Sequence, residues 1–211
     1  MYIPRQFEES RPELLHALVQ AHPFGLLVTQ DADGLLSANP MPFLLEHDEA
    51  GQPVLRAHVA RANPVWQAAR RDVDALVVFQ GPQAYISPGW YVSKAEHGKV
   101  VPTWNYLMVQ ARGRLQVHED HAWLLSLLTR LTQRHEAGLP APWAVSDAPP
   151  GYVEGLLRAL VGLEIPVSAL VGKWKASQNR SDADREGVAA GLRALGGDEA
   201  VNMSNWVRPQ G

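Results

Sequence analysis

Arg61 stands two residues before Asn63-Pro64, where the alternating run PVLRAHV (53–59) gives way to NPVWQAARR (63–71). Asparagine is a good helix N-cap and proline a good first helical residue, so the pair marks a helix start. A helix start carries unbonded N–H groups and partial positive charge. With a guanidinium beside it, the turn has the chemistry of a phosphate cradle; the other reading is a solvent-exposed cap with a surface arginine. A second cluster of donors is GKWKASQNR (172–180), where Lys173, Lys175, Ser177, Gln178, Asn179 and Arg180 surround Trp174. It either serves a ligand at a strand end or caps a helix beginning near Asp182. Two aromatic segments, YISPGWY (85–91) and VPTWNY (101–106), offer Trp90 and Trp104 as platforms for a flat ring and Asn105 as a reader of its polar edge. Their alternative role is core packing or an oligomer interface.

Other chemistries find less support. The chain has no cysteine, which excludes disulfides, thiolate zinc sites and thiol catalysis. HEDH (118–121) lacks the i, i+4 histidine spacing of a zincin and reads as a polar strand-to-helix junction. His58 lies in an alternating strand and faces either the core or a ligand. There is no nucleophile elbow, dinucleotide fingerprint or phosphate-binding lysine loop. The net charge of −3 suggests no large basic face for nucleic acid, and no pair of helices reads as a helix–turn–helix. No apolar run approaches the roughly 20 residues of a membrane span, and the first residues do not read as a signal peptide, so a cytoplasmic location is expected.

The elements that position these residues follow from periodicity. Ser10-Arg11-Pro12-Glu13 reads as a capping box for a helix with Leu14, Leu15, Leu18 and Val19 on one face, ending near His22-Pro23. Strands are predicted at 24–29, 35–48, 53–59, 74–80 and 101–119, the last interrupted at Gly113. Pro40 and Pro42 make the 35–48 strand an edge or a bulged strand. Asp120 caps a helix with Leu124, Leu127, Leu128 and Leu131 on one face. A further helix covers 149–161, a late strand 163–176 and a last helix 182–195. Closely spaced short strands predict an antiparallel barrel or sandwich, mainly β with added helices (α+β), rather than a βαβ sheet. One domain, 1–211, is expected, with a core at about 24–118 plus 163–176 and helical additions at 10–22, 120–137, 149–161 and 182–195.

Five separated segments, MYIPRQF, HVARANPVW, GPQAYISPGWY, VPTWNY and KASQNR, occur in this order. Together they resemble the PaiB family, described as FMN-binding negative transcriptional regulators of the flavin-binding split-barrel superfamily. The resemblance implies a split β-barrel, a six-stranded antiparallel Greek key with added helices. It also implies a homodimer with FMN between subunits. Asn39, Pro40, Met41 and Pro42 match the strand whose backbone meets the polar edge of the flavin ring. His58, Arg61, Ala62 and Asn63 match the phosphate turn, and Trp104, Asn105, Lys175, Gln178 and Arg180 match the rest of the pocket. Ala176 stands where a leucine is common. With Arg61 the one charge at the turn, FMN is expected to be loosely held, and Arg61→Ala to weaken its binding. The implied function is regulation, as a flavin-dependent sensor or indirectly, with no catalytic residue assigned and no direct reading of DNA. The alternatives are an FMN-dependent oxidoreductase of small molecules related to pyridoxamine-phosphate oxidases, and a haem-binding protein. The latter is disfavoured because no histidine follows His135.

Overall fold

The computed structural model describes residues 1–208; residues 209–211 of the expected 1–211 domain lie outside the described residues. The chain runs β1 (Glu8–Glu9), α1 (Pro12–Ala21), β2 (Phe24–Gln30), β3 (Leu36–Pro42), β4 (Leu44–His47), β5 (Pro53–Ala60), α2 (Val65–Ala68) and β6 (Asp74–Ile86). It continues through α3 (Ser93–His97), β7 (Thr103–Arg114), β8 (Gln116–His118), α4 (His121–Glu136), α5 (Pro150–Arg158), β9 (Leu160–Pro166), β10 (Ala169–Lys175), α6 (Asp182–Leu195) and α7 (Asp198–Val207). Among the described residues no helix is long and apolar enough to cross a membrane.

The chain forms two compact units, and residues 24–118 are divided between them. The first unit comprises Met1–His22, Phe79–Gln110 and the described residues from Val171 onward. Its sheet runs β1-β10-β7-β6, with Glu8 opposite Lys173 and Glu9 opposite Gly172. Strand alternation buries Asn105, Leu107 and Val109 on one face of β7. Helix α1 lays Leu15 on β10 at Gly172, where a Cβ would lie 2.2 Å from the leucine Cδ2.

The second unit comprises Pro23–Val78 and Ala111–Leu170. In it β2 pairs antiparallel with β3 (Leu27 opposite Asn39) and with β6 (Leu27 opposite Val77). A second antiparallel sheet has the order β4-β5-β9-β8. Leu55, Ala57 and Val59 of β5 pair with Ile165, Leu163 and Val161 of β9, and all six are buried. The opposite face of the same strands carries Arg56 and His58 against Glu164 and Gly162. Helix α4 presses Trp123 onto Gly162, where a Cβ would meet its ring at 2.2 Å. The glycine is therefore a packing requirement.

Several expected elements are corrected. The Ser10 capping box does not form: Arg11 is the N-cap, without a side-chain cap bond, and its N–H and guanidinium go to Glu9. The 63–71 helix shrinks to α2: Asn63 accepts from Val65 N–H (3.0 Å) in a local turn at its start, and the backbone becomes extended at Ala69 (φ −63°, ψ 129°). The 35–48 strand divides at Phe43 into β3 and β4; β3 is an edge strand, as its prolines require. The 74–80 strand continues through Pro82 to Ile86, which is tolerated because β2 pairs with it only over Leu76–Val78. The 101–119 strand breaks at Leu115. Val161 belongs to β9 and not to a helix, and the 163–176 strand is two strands. Helices α3 and α7 have no counterpart in the predicted elements.

Candidate functional site

In the second unit the structure brings Asn39 and Asn63 together. Asn63 Nδ2 donates to Asn39 Oδ1 (3.1 Å), while Asn39 Nδ2 donates to Ser37 Oγ (3.0 Å). The edge strand β3 is thereby tied to the turn after β5. Alternate backbone groups of an edge strand point away from its one partner and can bond a ligand. Pro40 and Pro42 contribute carbonyls without competing N–H groups. Met41 is buried in the core, unlike exposed Ala38 and Pro40.

Arg61 is used differently from the expectation. Its backbone N–H donates to Ala159 O (2.7 Å), its Nε to Arg158 O (2.8 Å) and its Nη2 to Leu160 O (3.1 Å). Its Nη1 forms an ion pair with Glu119. The guanidinium lies 5.7 Å from the centre of the Trp66 ring, and Trp66 Nε1 donates back to Arg61 O (2.9 Å). The end of a helix exposes unbonded carbonyls and partial negative charge, so Arg61 caps α5 and joins it to β9. The turn is a structural joint, and α2, four residues long, provides little helix dipole. Ala62 is exposed beside it.

His58 faces the same side as Arg56. The register row His58–Gly162–His118 runs beneath Trp123, which stacks on His118 at 4.1 Å with 6° between planes. Arg56 bridges Glu46 (2.8 Å) and Glu164 (2.6 Å), and Glu46 also accepts from Arg130 Nε (2.7 Å). His58 Nδ1 is buried with no hydrogen-bond partner among the described residues. Burial pushes its pKa below the ordinary 6.5, so the ring is neutral at pH 7.

The first unit holds the remaining candidates. Trp104, 48% exposed, stands open on one face of β7. Its Nε1 donates to Gln83 Oε1 (3.2 Å), and Tyr85 meets its ring edge-on at 6.2 Å. On β10, Lys173 and Lys175 share one face. Lys175 Nζ donates to Trp104 O (2.6 Å) and Thr103 Oγ1; Lys173 Nζ donates to Tyr2 O (3.0 Å) and lies 5.3 Å from the centre of the Tyr106 ring. Neither forms an ion pair with a carboxylate among the described residues. Burial and then the neighbouring Lys173 charge push the Lys175 ammonium below its ordinary pKa. This is positive charge in want of an anion, beside an open indole.

Asn105, Gln178 and Arg180 are built into the scaffold. Asn105 is 1% exposed and donates to Ser177 Oγ (2.8 Å). Ser177 has φ 64°, the left-handed region that few side chains adopt, and the buried bond from Asn105 pins it there. Gln178 folds back on its own loop, accepting from Ala176 N (2.7 Å) and donating to Trp174 O. Arg180 packs on the Tyr91 ring at 4.5 Å. Trp90 lies on α6, where Cβ atoms at Gly187 and Gly191 would clash with its carbonyl and ring. Sequence reasoning missed Ser93 and Asp184: Asp184 accepts from Ser93 N (2.9 Å) and Oγ (2.8 Å), anchoring α3 to α6. Their separation of 91 residues left no local signal. No group of three or more potential metal ligands occurs among the described residues.

Residues 1–169 match the protein family described as "Putative FMN-binding domain". A full-length relative, the "Protease synthase and sporulation protein PAI 2" of Bacillus subtilis, is 32% identical over 97% of this chain and 95% of its own. An uncharacterised protein of Emericella nidulans is 33% identical over 100% of this chain and 98% of its own. Among solved structures, a "putative 5-nitroimidazole antibiotic resistance protein" from Bacteroides thetaiotaomicron aligns with a TM-score of 0.57 at 14% identity, covering 79% of this chain and 85% of that one. The "FAD and Heme binding protein" from Mycobacterium smegmatis aligns with a TM-score of 0.57 at 19% identity, covering 87% and 80%. At such identities the structural likeness concerns the fold alone. The fold is α+β with antiparallel sheets, of the split-barrel class.

Proposed function

The chain belongs to this FMN-binding domain family and is a relative of PaiB, and from that premise we propose that it binds FMN on the lysine-bearing face of its first unit. Lys175 takes the phosphate, Lys173 adds positive field behind it, and Trp104 offers its face to the flavin ring. The observation that carries this reading is the pair of lysines without a carboxylate partner, next to an exposed tryptophan. A phosphate dianion would supply charge-assisted bonds to Lys175 and relieve its desolvation.

Bound FMN supplies electron-transfer chemistry; the chain's own residues bind, orient and set the local charge. Lys175 is held in place by Thr103 and Trp104 O, and Gln83 and Tyr85 fix the Trp104 ring before a ligand arrives. In the second unit, the β3 edge with Asn39, Pro40 and Pro42 is a second surface with backbone groups open to a ligand. Exposed Phe24, Leu26, Leu36 and Pro40 make β2 and β3 an apolar strip suited to a second copy of the chain, which supports a homodimer. We assign the protein a PaiB-like regulatory role that responds to flavin and does not itself read DNA, in keeping with its charge of −3.

Titrating the purified chain with FMN tests the assignment. The expected result is saturable quenching of flavin fluorescence, with bound flavin absorbing near roughly 370 and 450 nm. Flavin that stays free at every protein concentration would contradict it. A tight, salt-sensitive and sequence-selective gel shift would contradict the indirect role in regulation.

A further inference from the structure

Alternation along β10 gives the first unit two distinct surfaces. Lys173 and Lys175 face one side, and Glu8, opposite Lys173 in register, belongs to that side. Trp174 and Ala176 face the other, where they line a groove of about 790 Å³. That volume lies within the range of small-molecule pockets. Trp174 is 6% exposed and meets Trp206 of α7 edge-to-face, with centres 6.2 Å apart and 83° between planes. The Trp206 ring is open at 36% and stands at the rim.

The side chains that line the groove have used their acceptors and kept donors to spare. Both oxygens of Glu9 are taken by Arg11: Oε1 accepts from Nε (2.9 Å) and the backbone N–H (3.0 Å), and Oε2 from Nη2 (2.6 Å). Gln178 Oε1 accepts from Ala176 N (2.7 Å). Two donors are left. Trp174 Nε1 is buried and has no hydrogen-bond partner among the described residues, a costly state for an N–H. A Cβ on Gly172 would lie 2.7 Å from Trp174 Cζ3, so the benzo edge of the indole covers Gly172 and the N–H edge turns away from it. Arg185 of α6 gives Nε to Val207 O (3.0 Å) and Nη2 to Arg208 O (2.7 Å). Its ion pair is with Asp182, 77% exposed, at 3.4 Å. Neutral carbonyls and one long, solvated pair leave the guanidinium charge incompletely balanced.

We propose that this groove binds an aromatic carboxylate. The ring packs on Trp206, and the carboxylate accepts from Trp174 Nε1 and Arg185. Glu9 does not repel it, because Arg11 neutralises that charge in place. A neutral amide of the same shape offers one acceptor oxygen and no charge, and an ammonium meets donors where it needs acceptors. The site is independent of FMN, because the lysines assigned to the phosphate point to the other face of the same strand.

The test is ¹⁹F NMR of 3-(4-fluorophenyl)propionate with the full chain, in the absence and presence of saturating FMN. Saturable broadening is expected in both conditions. The matched 3-(4-fluorophenyl)propanamide should bind at least about fivefold more weakly, and 3-(4-fluorophenyl)propan-1-amine at least about tenfold more weakly. Trp206→Ala, at the rim, should weaken the propionate by at least about fivefold. Arg185→Gln should bring the propionate to the affinity of the amide and leave the amide unchanged; if that variant does not fold, the three probes on the parent decide. In ¹H–¹⁵N spectra of the parent, the Trp174 indole N–H signal should move downfield as the propionate binds. No saturable broadening, equal affinity for the three probes, an unmoved Trp174 signal, a folded Arg185→Gln variant that binds the propionate as the parent does, or displacement by FMN would each overturn the proposal.

Discussion

Arg61 and Lys175 both donate to backbone carbonyls at the end of a strand, but their surroundings treat the charge in opposite ways. Arg61 meets Glu119 and the carbonyls that close α5, so its charge is balanced within its own unit. Lys175 meets a hydroxyl, a carbonyl and a second lysine, and its ammonium is disfavoured by burial. A cation that is already paired holds structure together, whereas one that lacks a counter-ion is available to bind an anion. Side-chain type alone ranks the two the other way, since arginine beside a helix start is the more familiar phosphate signal.

The comparison can be broken most severely at the joint around Arg61. Gly162→Ala would drive a methyl group into Trp123 and should destabilise the protein by about 3 kcal/mol. Urea denaturation reads this as a lower midpoint, and an unchanged midpoint would mean that Trp123 does not pack there. In the first unit, Asn105→Leu leaves the Ser177 hydroxyl buried without its donor and its left-handed backbone unpinned. A loss of about 2 kcal/mol is expected in the same assay. Arg61→Ala removes two carbonyl bonds and a partly exposed ion pair, for a loss of roughly 1–2 kcal/mol.

The smallest effect concerns pH. Burial lowers the Lys175 pKa below 10.5, so between the lowered and the ordinary value the unfolded chain binds more protons than the folded one. Stability therefore rises with pH through that window, and the penalty is fully present below it. Lys175→Met should be slightly more stable than the parent at neutral pH and lose that advantage as pH approaches 10.5. Melting curves of the two proteins across that range would show a pH-independent difference if Lys175 were not strained by burial.

The sequence displayed well what depends on neighbours along the chain. The α4 helix with its Asp120 cap, the edge character forced by Pro40 and Pro42, and the α6 helix all follow from local rules. The family resemblance grouped residues 39–42 with His58 and residues 61–63, and Trp104 with Lys175, as parts of one FMN pocket; the contacts that join them, Asn63 to Asn39 and Lys175 to Trp104 O, come from the structure. The sequence did not display the partners of Arg61, because Glu119, Arg158 and Leu160 lie 58 to 99 residues away. It did not show that Asn105 is buried, since strand alternation alone leaves open which face meets the core. Trp90 and Trp104 looked equivalent as stacking candidates. They differ because small residues of α6, Gly187 and Gly191, accept one of them, while the other stays open beside Lys175.

The most direct test is to titrate FMN into the parent, Lys175→Gln and Arg61→Ala proteins under conditions where all three are folded, following flavin fluorescence. The account predicts a loss of affinity of at least about tenfold, or 1.4 kcal/mol, for Lys175→Gln and a change of less than about threefold for Arg61→Ala. The reverse order, with Arg61→Ala losing affinity and Lys175→Gln unaffected, would contradict it and return the phosphate to the turn after β5.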